Sequence, residues 1–160
     1  MFEIAAVPLE RGTLGVAPLP GHESSLATDV ETIRDWGAAA VVSMTPTEEM
    51  QRLGAQDLPI ALDAAGIIWH ALPITDFGAP QAASDAQWAN LSRALHAELD
   101  AGRKVLLHCR GGRGRSGMVA LRLMVERGVD PASALAELRT LRPGAVETEA
   151  QLAWATAGVP

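Results

Sequence analysis

Short unbroken apolar runs alternate along this chain with longer stretches in which apolar residues recur every three or four positions. The first pattern predicts buried strands and the second predicts helices packed by one face. "FEIAAV" and "GTLGVAPLP" read as two short strands, a hairpin turning at Glu10-Arg11-Gly12. From Ser24 a helix is expected, with Leu26, Val30 and Ile33 on one face and Gly37 as its stop. "AAVVSM" is a buried strand. After it Thr45 is placed to cap, Pro46 suits the first helical position and Glu48 completes a capping box, so a short helix should run to about Leu53. "GIIWHALPI" reads as another buried strand, and "TDFGAP" as a loop held by Pro73, Gly78 and Pro80. Helix returns from about Ser84, where Trp88, Leu91, Leu95 and Leu99 form a stripe. "RKVLLHC" is a third buried strand. "GRSGMVALRLMVERG" is a helix apolar almost all round, hence central. Asp130 caps and Pro131 opens another helix through Leu141, and "ETEAQLAWATAG" forms a last one.

This order implies an α/β fold, a mainly parallel central sheet flanked by helices. In such sheets ligands bind beyond the carboxyl ends of strands. Two places qualify: "TDFGAP" and "CRGGRGRSG". A length of 160 residues suits a single domain, 1–160.

Composition narrows the function. With 48% hydrophobic and 20% charged residues the chain reads as soluble and globular. Its one cysteine allows no internal disulfide, and without a Cys pair and with scattered histidines no metal or other cofactor is expected. "MFEIAAVPLERG" lacks the basic start of a signal peptide, and no apolar run could span a bilayer, so a cytoplasmic protein is expected. A net charge of −6 argues against nucleic-acid and membrane-surface partners. It also singles out Arg110, Arg113 and Arg115, all within six residues of the lone thiol of Cys109. Either they are solvated loop charges or they build a site.

A strand end, a glycine-rich loop and a helix start make an anion site, because loop N–H groups point inward and the first helical turn adds unpaired donors. Gly111, Gly112 and Gly114 permit close backbone approach, and Arg115 stands where a bidentate grip on phosphate is possible. Cys109 would lie at the floor of that ring, an environment that favours thiolate and makes a nucleophile for phosphorus. The alternative is a buried inert core thiol. His108 is read as a buried histidine that helps fix loop geometry rather than a proton carrier. A leaving alkoxide or phenoxide needs a proton. Asp63, Asp76 and Asp85 are candidates, and Asp76 is preferred because its loop leaves a neighbouring strand end; the alternative is a turn-former or helix cap. Ser116 could cap the helix or donate to the leaving thiolate of a second step.

Other chemistries fit less well. Gly112, Gly114 and Gly117 spell G-x-G-x-x-G, but only helices follow, leaving no strand for the partner acid of a dinucleotide site. A Walker loop would need a Lys before Ser116. A rhodanese-like sulfurtransferase would carry a persulfide on a loop cysteine and needs no upstream acid, though its loop is often one residue shorter. A phosphate-binding module or pseudophosphatase that recognises a phosphorylated partner without turnover remains the non-enzymatic alternative.

With Cys109, five intervening residues and Arg115-Ser116, the chain resembles the protein tyrosine phosphatase superfamily, whose mark is H-C-x5-R-S/T. Over "LPG", "AGIIWHALPITDFGAP", "HCRGGRGRSG" and "LRTLRPGAVETEAQ" it is most similar to the dual-specificity branch, in particular cyclin-dependent-kinase-associated phosphatases. Low-molecular-weight phosphatases share the loop but carry it near the N-terminus. The resemblance implies Cys109 as nucleophile, Asp76 as general acid, Arg115 as phosphate clamp, Ser116 as second-step helper, and a phosphocysteine reaction without metal. It also places Gln151 where some relatives hold a polar residue for the attacking water. Arg110 and Arg113 depart from the kinase-associated members. Basic residues there look like phosphatases acting on inositol lipids or other polyanions, unless both point to solvent. The expected partner is a phosphorylated protein or small polyanion. Kinase association is not implied, and oligomeric state is left open.

Overall fold

The computed structural model describes residues Met1–Pro160. Five strands, β1 (Ala5–Pro8), β2 (Thr13–Ala17), β3 (Ala38–Ser43), β4 (Ile68–Ala71) and β5 (Lys104–His108), form one sheet in the order β1-β2-β5-β3-β4. β1 and β2 are the antiparallel hairpin, and every other pairing is parallel. Seven helices cover both faces: α1 (Leu26–Trp36), α2 (Thr47–Arg52), α3 (Leu58–Ala64), α4 (Asp85–Asp100), α5 (Gly114–Glu126), α6 (Pro131–Leu141) and α7 (Glu149–Thr156).

Period-two alternation divides the strands between two cores. Val105 and Leu107 of β5 join Val42, Leu14 and Val16 beneath α4–α7, while Leu106 joins Val41 and Ala17 beneath α1 and α3. The first core is the larger, with α5 at its centre; buried residues occupy nearly every position from Gly114 to Val125. That is why this helix is apolar almost all round.

Helix ends follow local chemistry in most cases. Ser25 caps α1 and Gly37 ends it in the left-handed conformation, at φ 93. Asp130 caps α6 ahead of Pro131. Three expectations need correction. α2 has no capping box: Pro46 is its N-cap, and the Thr45 hydroxyl is buried without a partner. A capping box forms instead at α7, between Thr148 and Gln151. Helix α3 occupies a stretch for which no element was expected; it is two turns long, with Pro59 in its first turn and Leu58 and Leu62 buried. Finally, "GIIWHALPI" yields only a four-residue edge strand, with Ile68 and Ala71 exposed. An edge strand has one neighbour, so the sheet cannot bury it on all sides. Beyond β4, however, Leu72 N–H bonds to the Ser43 carbonyl (2.9 Å) and Ile74 N–H to the Met44 carbonyl (2.9 Å). These bonds steer the following turn toward the end of β5.

Candidate active site

The site lies at the carboxyl ends of β3, β4 and β5, where a cavity of about 370 Å³ is lined by Asp76, Phe77, Cys109, Arg110, Gly111, Arg113, Arg115 and Glu147. A larger cavity of about 520 Å³ lies at the far end of α5, beside His96, Asp100, Glu126 and Arg127. Its central charges are already paired: Glu126 accepts from Trp88, Ser92, His96 and Arg122, and Arg127 bonds to His96 and Asp100.

The loop after β5 is built by its carbonyls. Five in succession are tied to groups outside the ring. The Cys109 carbonyl accepts from His108 Nδ1 (3.1 Å) and that of Arg110 from Leu19 N–H (3.0 Å). The Gly111 and Gly112 carbonyls accept from Arg142 Nη2 and Nε (both 2.8 Å). The Arg113 carbonyl accepts from the N–H groups of Gly117 and Val146 (both 3.1 Å). With the carbonyls drawn outward the N–H groups are left for the centre, and no backbone carbonyl accepts from Arg110, Gly111, Gly112 or Arg113. Gly112 has to be glycine: it sits at φ 72, and a Cβ would meet the Ala17 carbonyl carbon at 2.6 Å.

Cys109 stands at the floor, 3% exposed, with its Sγ 3.2 Å from Ser116 Oγ. His108 is fully buried behind it. Because a carbonyl only accepts, Nδ1 must carry the ring hydrogen, and Nε2 then accepts from the Ser43 hydroxyl. Ser43 Oγ in turn accepts from Trp69 Nε1 (2.8 Å). This chain requires a neutral ring, and burial pushes the His108 pKa down to about 4.

Arg115 is 1% exposed, and its guanidinium is clamped. Nη1 and Nη2 bond to the two carboxylate oxygens of Glu49 (both 2.9 Å), and Nη1 also donates to the Ile74 carbonyl (3.0 Å). Asp76 Oδ1 lies 3.3 Å from Nη2. Burial works against the charge, but Glu49, Cys109 and Asp76 together outweigh it, so the Arg115 pKa stands above its ordinary value. Nε is buried without any partner.

Of the residues expected from sequence, Cys109, Arg110, Gly111, Arg113, Arg115 and Asp76 line one cavity, and Ser116 touches the thiol. Arg110 and Arg113 are exposed at its mouth. Gln151 does not reach the cavity. It is fully buried and bonded to backbone, and Glu147 is the polar side chain of that segment that lines the site. Glu49, Ser43, Trp69 and Arg142 were not expected. Arg142 stood inside a quoted motif, and Glu49 stood in the helix that leaves β3 on the site's side of the sheet, but neither spacing marks a partner.

Residues 15–129 match a family model described as "Polymorphic toxin system, DSP-PTPase phosphatase". Cyclin-dependent kinase inhibitor 3 of Sus scrofa is 34% identical over 159 residues, covering 92% of this chain and 74% of the relative. The Homo sapiens protein of that name is 32% identical over 143 residues, covering 84% and 66%. Among solved structures, kinase associated phosphatase with its catalytic site cysteine substituted by serine is 29% identical, covers 96% of this chain and 92% of its own, and has a TM-score of 0.85. Tk-PTP in the active form is 30% identical, covers 96% and 95%, and has a TM-score of 0.72. The chain belongs to the dual-specificity branch of the protein tyrosine phosphatases and is a hydrolase of that type. No helix is long and apolar enough to cross a membrane.

Proposed function

We propose that the site hydrolyses phosphate monoesters through a phosphocysteine. The observation that carries this reading is a thiol beneath inward N–H groups that no backbone carbonyl accepts, with the orphaned Arg115 Nε beside it. A buried donor without an acceptor is costly, and a phosphate oxygen would satisfy it. In the first step Cys109 Sγ attacks phosphorus opposite the leaving oxygen. The S–P bond forms as the P–O bond breaks, and protonated Asp76 gives its proton to the departing oxygen. In the second step water attacks phosphorus, Asp76 takes back a proton, and the S–P bond breaks. Ser116 Oγ, 3.2 Å from Sγ, donates to the sulfur as it leaves.

The substrate class is a phosphorylated protein or a small polyanion. The first is supported by the kinase associated phosphatase named among the solved structures, and the second by Arg110 and Arg113 exposed at the mouth. The test is hydrolysis of p-nitrophenyl phosphate in EDTA. The wild type should turn over, Cys109→Ser should lose at least about a thousandfold, and a brief acid quench should trap phosphate on the wild type alone. A Cys109→Ser variant that still turns over would remove the nucleophile. Phosphate binding without turnover in the wild type would leave only a recognition module.

A further inference from the structure

Gln151 is fully buried, and both polar atoms of its side chain are engaged. Oε1 accepts from the N–H groups of Glu147 (2.8 Å) and Thr148 (3.3 Å), which caps α7. Nε2 donates to the Gly78 carbonyl (3.1 Å). Its neighbour Thr148 donates from Oγ1 to the Phe77 carbonyl (3.4 Å). Helix α7 therefore holds two successive carbonyls of the turn that carries Asp76. The same amide also abuts the start of α5, where a Cβ on Gly114 would come within 3.2 Å of Nε2.

The held turn is a strained one. Gly78 N–H bonds to the Thr75 carbonyl (2.8 Å), and Phe77, at the third position, has φ 61. A positive φ at that position belongs to glycine or asparagine. Such a conformation persists only where its surroundings over-determine it. Phe77 is 60% exposed and its packing supplies little restraint, so the restraint comes from polar bonds. Two come from α7, one is the turn's own, and Asp76 Oδ1 adds another by accepting from Phe77 N–H (3.0 Å), while Arg115 Nη2 lies 3.3 Å from the same oxygen.

We infer that Gln151, backed by Thr148, is the positioning residue that keeps the acid turn, and with it Asp76, over Cys109. The catalytic consequence rests on the function proposed above. A general acid works only within hydrogen-bond reach of the leaving oxygen. A loosened turn therefore slows only those leaving groups that need the proton.

Gln151→Met keeps the volume and removes the amide bonds. In the full chain, exchange of the Gly78 amide, read by NMR, should quicken about tenfold or more relative to wild type. The kcat for phenyl phosphate should fall about a hundredfold, while that for p-nitrophenyl phosphate falls only a few-fold, with KM little changed in both. In a Phe77→Gly background the turn is no longer strained, so the same substitution should quicken Gly78 exchange much less. Should Gln151→Met unfold, Gln151→Glu keeps the accepting bonds of the cap. As a carboxylate it has no hydrogen for Gly78, so Gly78 exchange at neutral pH should quicken about as much as in Gln151→Met. Unchanged Gly78 exchange in the variants, or an equal loss of kcat on both substrates, overturns the inference. A wild type without turnover would remove the proposed function instead, and the exchange measurements would still decide whether Gln151 holds the turn.

Discussion

Arg115 carries a full charge almost out of contact with water, and Glu49 answers it with two parallel hydrogen bonds. Breaking a buried pair by removing one partner leaves the other charge uncompensated, at about 3–5 kcal/mol. Glu49→Gln should therefore lower stability by roughly that amount in urea unfolding. It should also let the guanidinium turn from its place, raising the inhibition constant of inorganic phosphate about tenfold. If neither measurement moves, the Ile74 carbonyl and Asp76 suffice to hold Arg115. Cys109 and Arg115 were legible because their relation is local, one loop and one helix start. Glu49 was not. It obeys the ordinary rules of the first turn of α2, and its partner is 66 positions away. Ser43 and Trp69, which complete the hydrogen-bond chain at His108 Nε2, were hidden for the same reason.

At the scale of elements, the carboxyl end of α6 shapes the site without entering it. Arg142, just past the helix, holds the Gly111 and Gly112 carbonyls, and Arg139 holds those of Ala145 and Val146. The Arg142 pKa lies below its ordinary value, first through burial and then through repulsion from Arg113, so its charge is held there at a cost. Replacing it by Met should free the two carbonyls and disorder the N–H ring. The expected losses are about tenfold or more in kcat/KM and a few degrees in Tm. Slower alkylation of Cys109 by iodoacetate should accompany them, since fewer aligned N–H groups and one cation fewer draw the anionic reagent to the loop. Unaltered alkylation would separate Arg142 from the thiol. Most elements could be read from apolar periodicity. Those misread were short or marginal. α3 is two turns long, β4 is an edge strand, and the cap expected at Thr45 forms instead at Thr148. Short pieces owe their existence to packing more than to propensity.

The whole molecule answers acid through its buried groups. The His108 pKa is about 4 in the folded chain and about 6.5 when unfolded, so the unfolded chain takes the proton first as pH falls. Stability from this group is complete above pH 6.5 and is lost progressively down to about pH 4, some 3 kcal/mol in all. Glu126, drawn down to about 2 by four donors against the effect of its burial, contributes stability held above its ordinary carboxylate range and lost as pH falls toward about 2. Urea unfolding across this range should show the upper decline in the wild type and a much flatter upper limb in His108→Asn. An identical slope in both would assign the decline to other groups.

By itself the sequence determined what depends on neighbours in the chain. Unbroken apolar runs predict strands, a one-sided stripe predicts a helix, and a cysteine followed by glycines and an arginine at a helix start predicts an anion cradle. Only the tertiary structure decided which residues answer one another across the fold. Placing β5 between β2 and β3 brings Leu19, Ser43, Glu49, Asp76, Arg142 and Gln151 around one loop. Nothing local requires those meetings. They follow from strand order and from the need to give every buried polar group a partner.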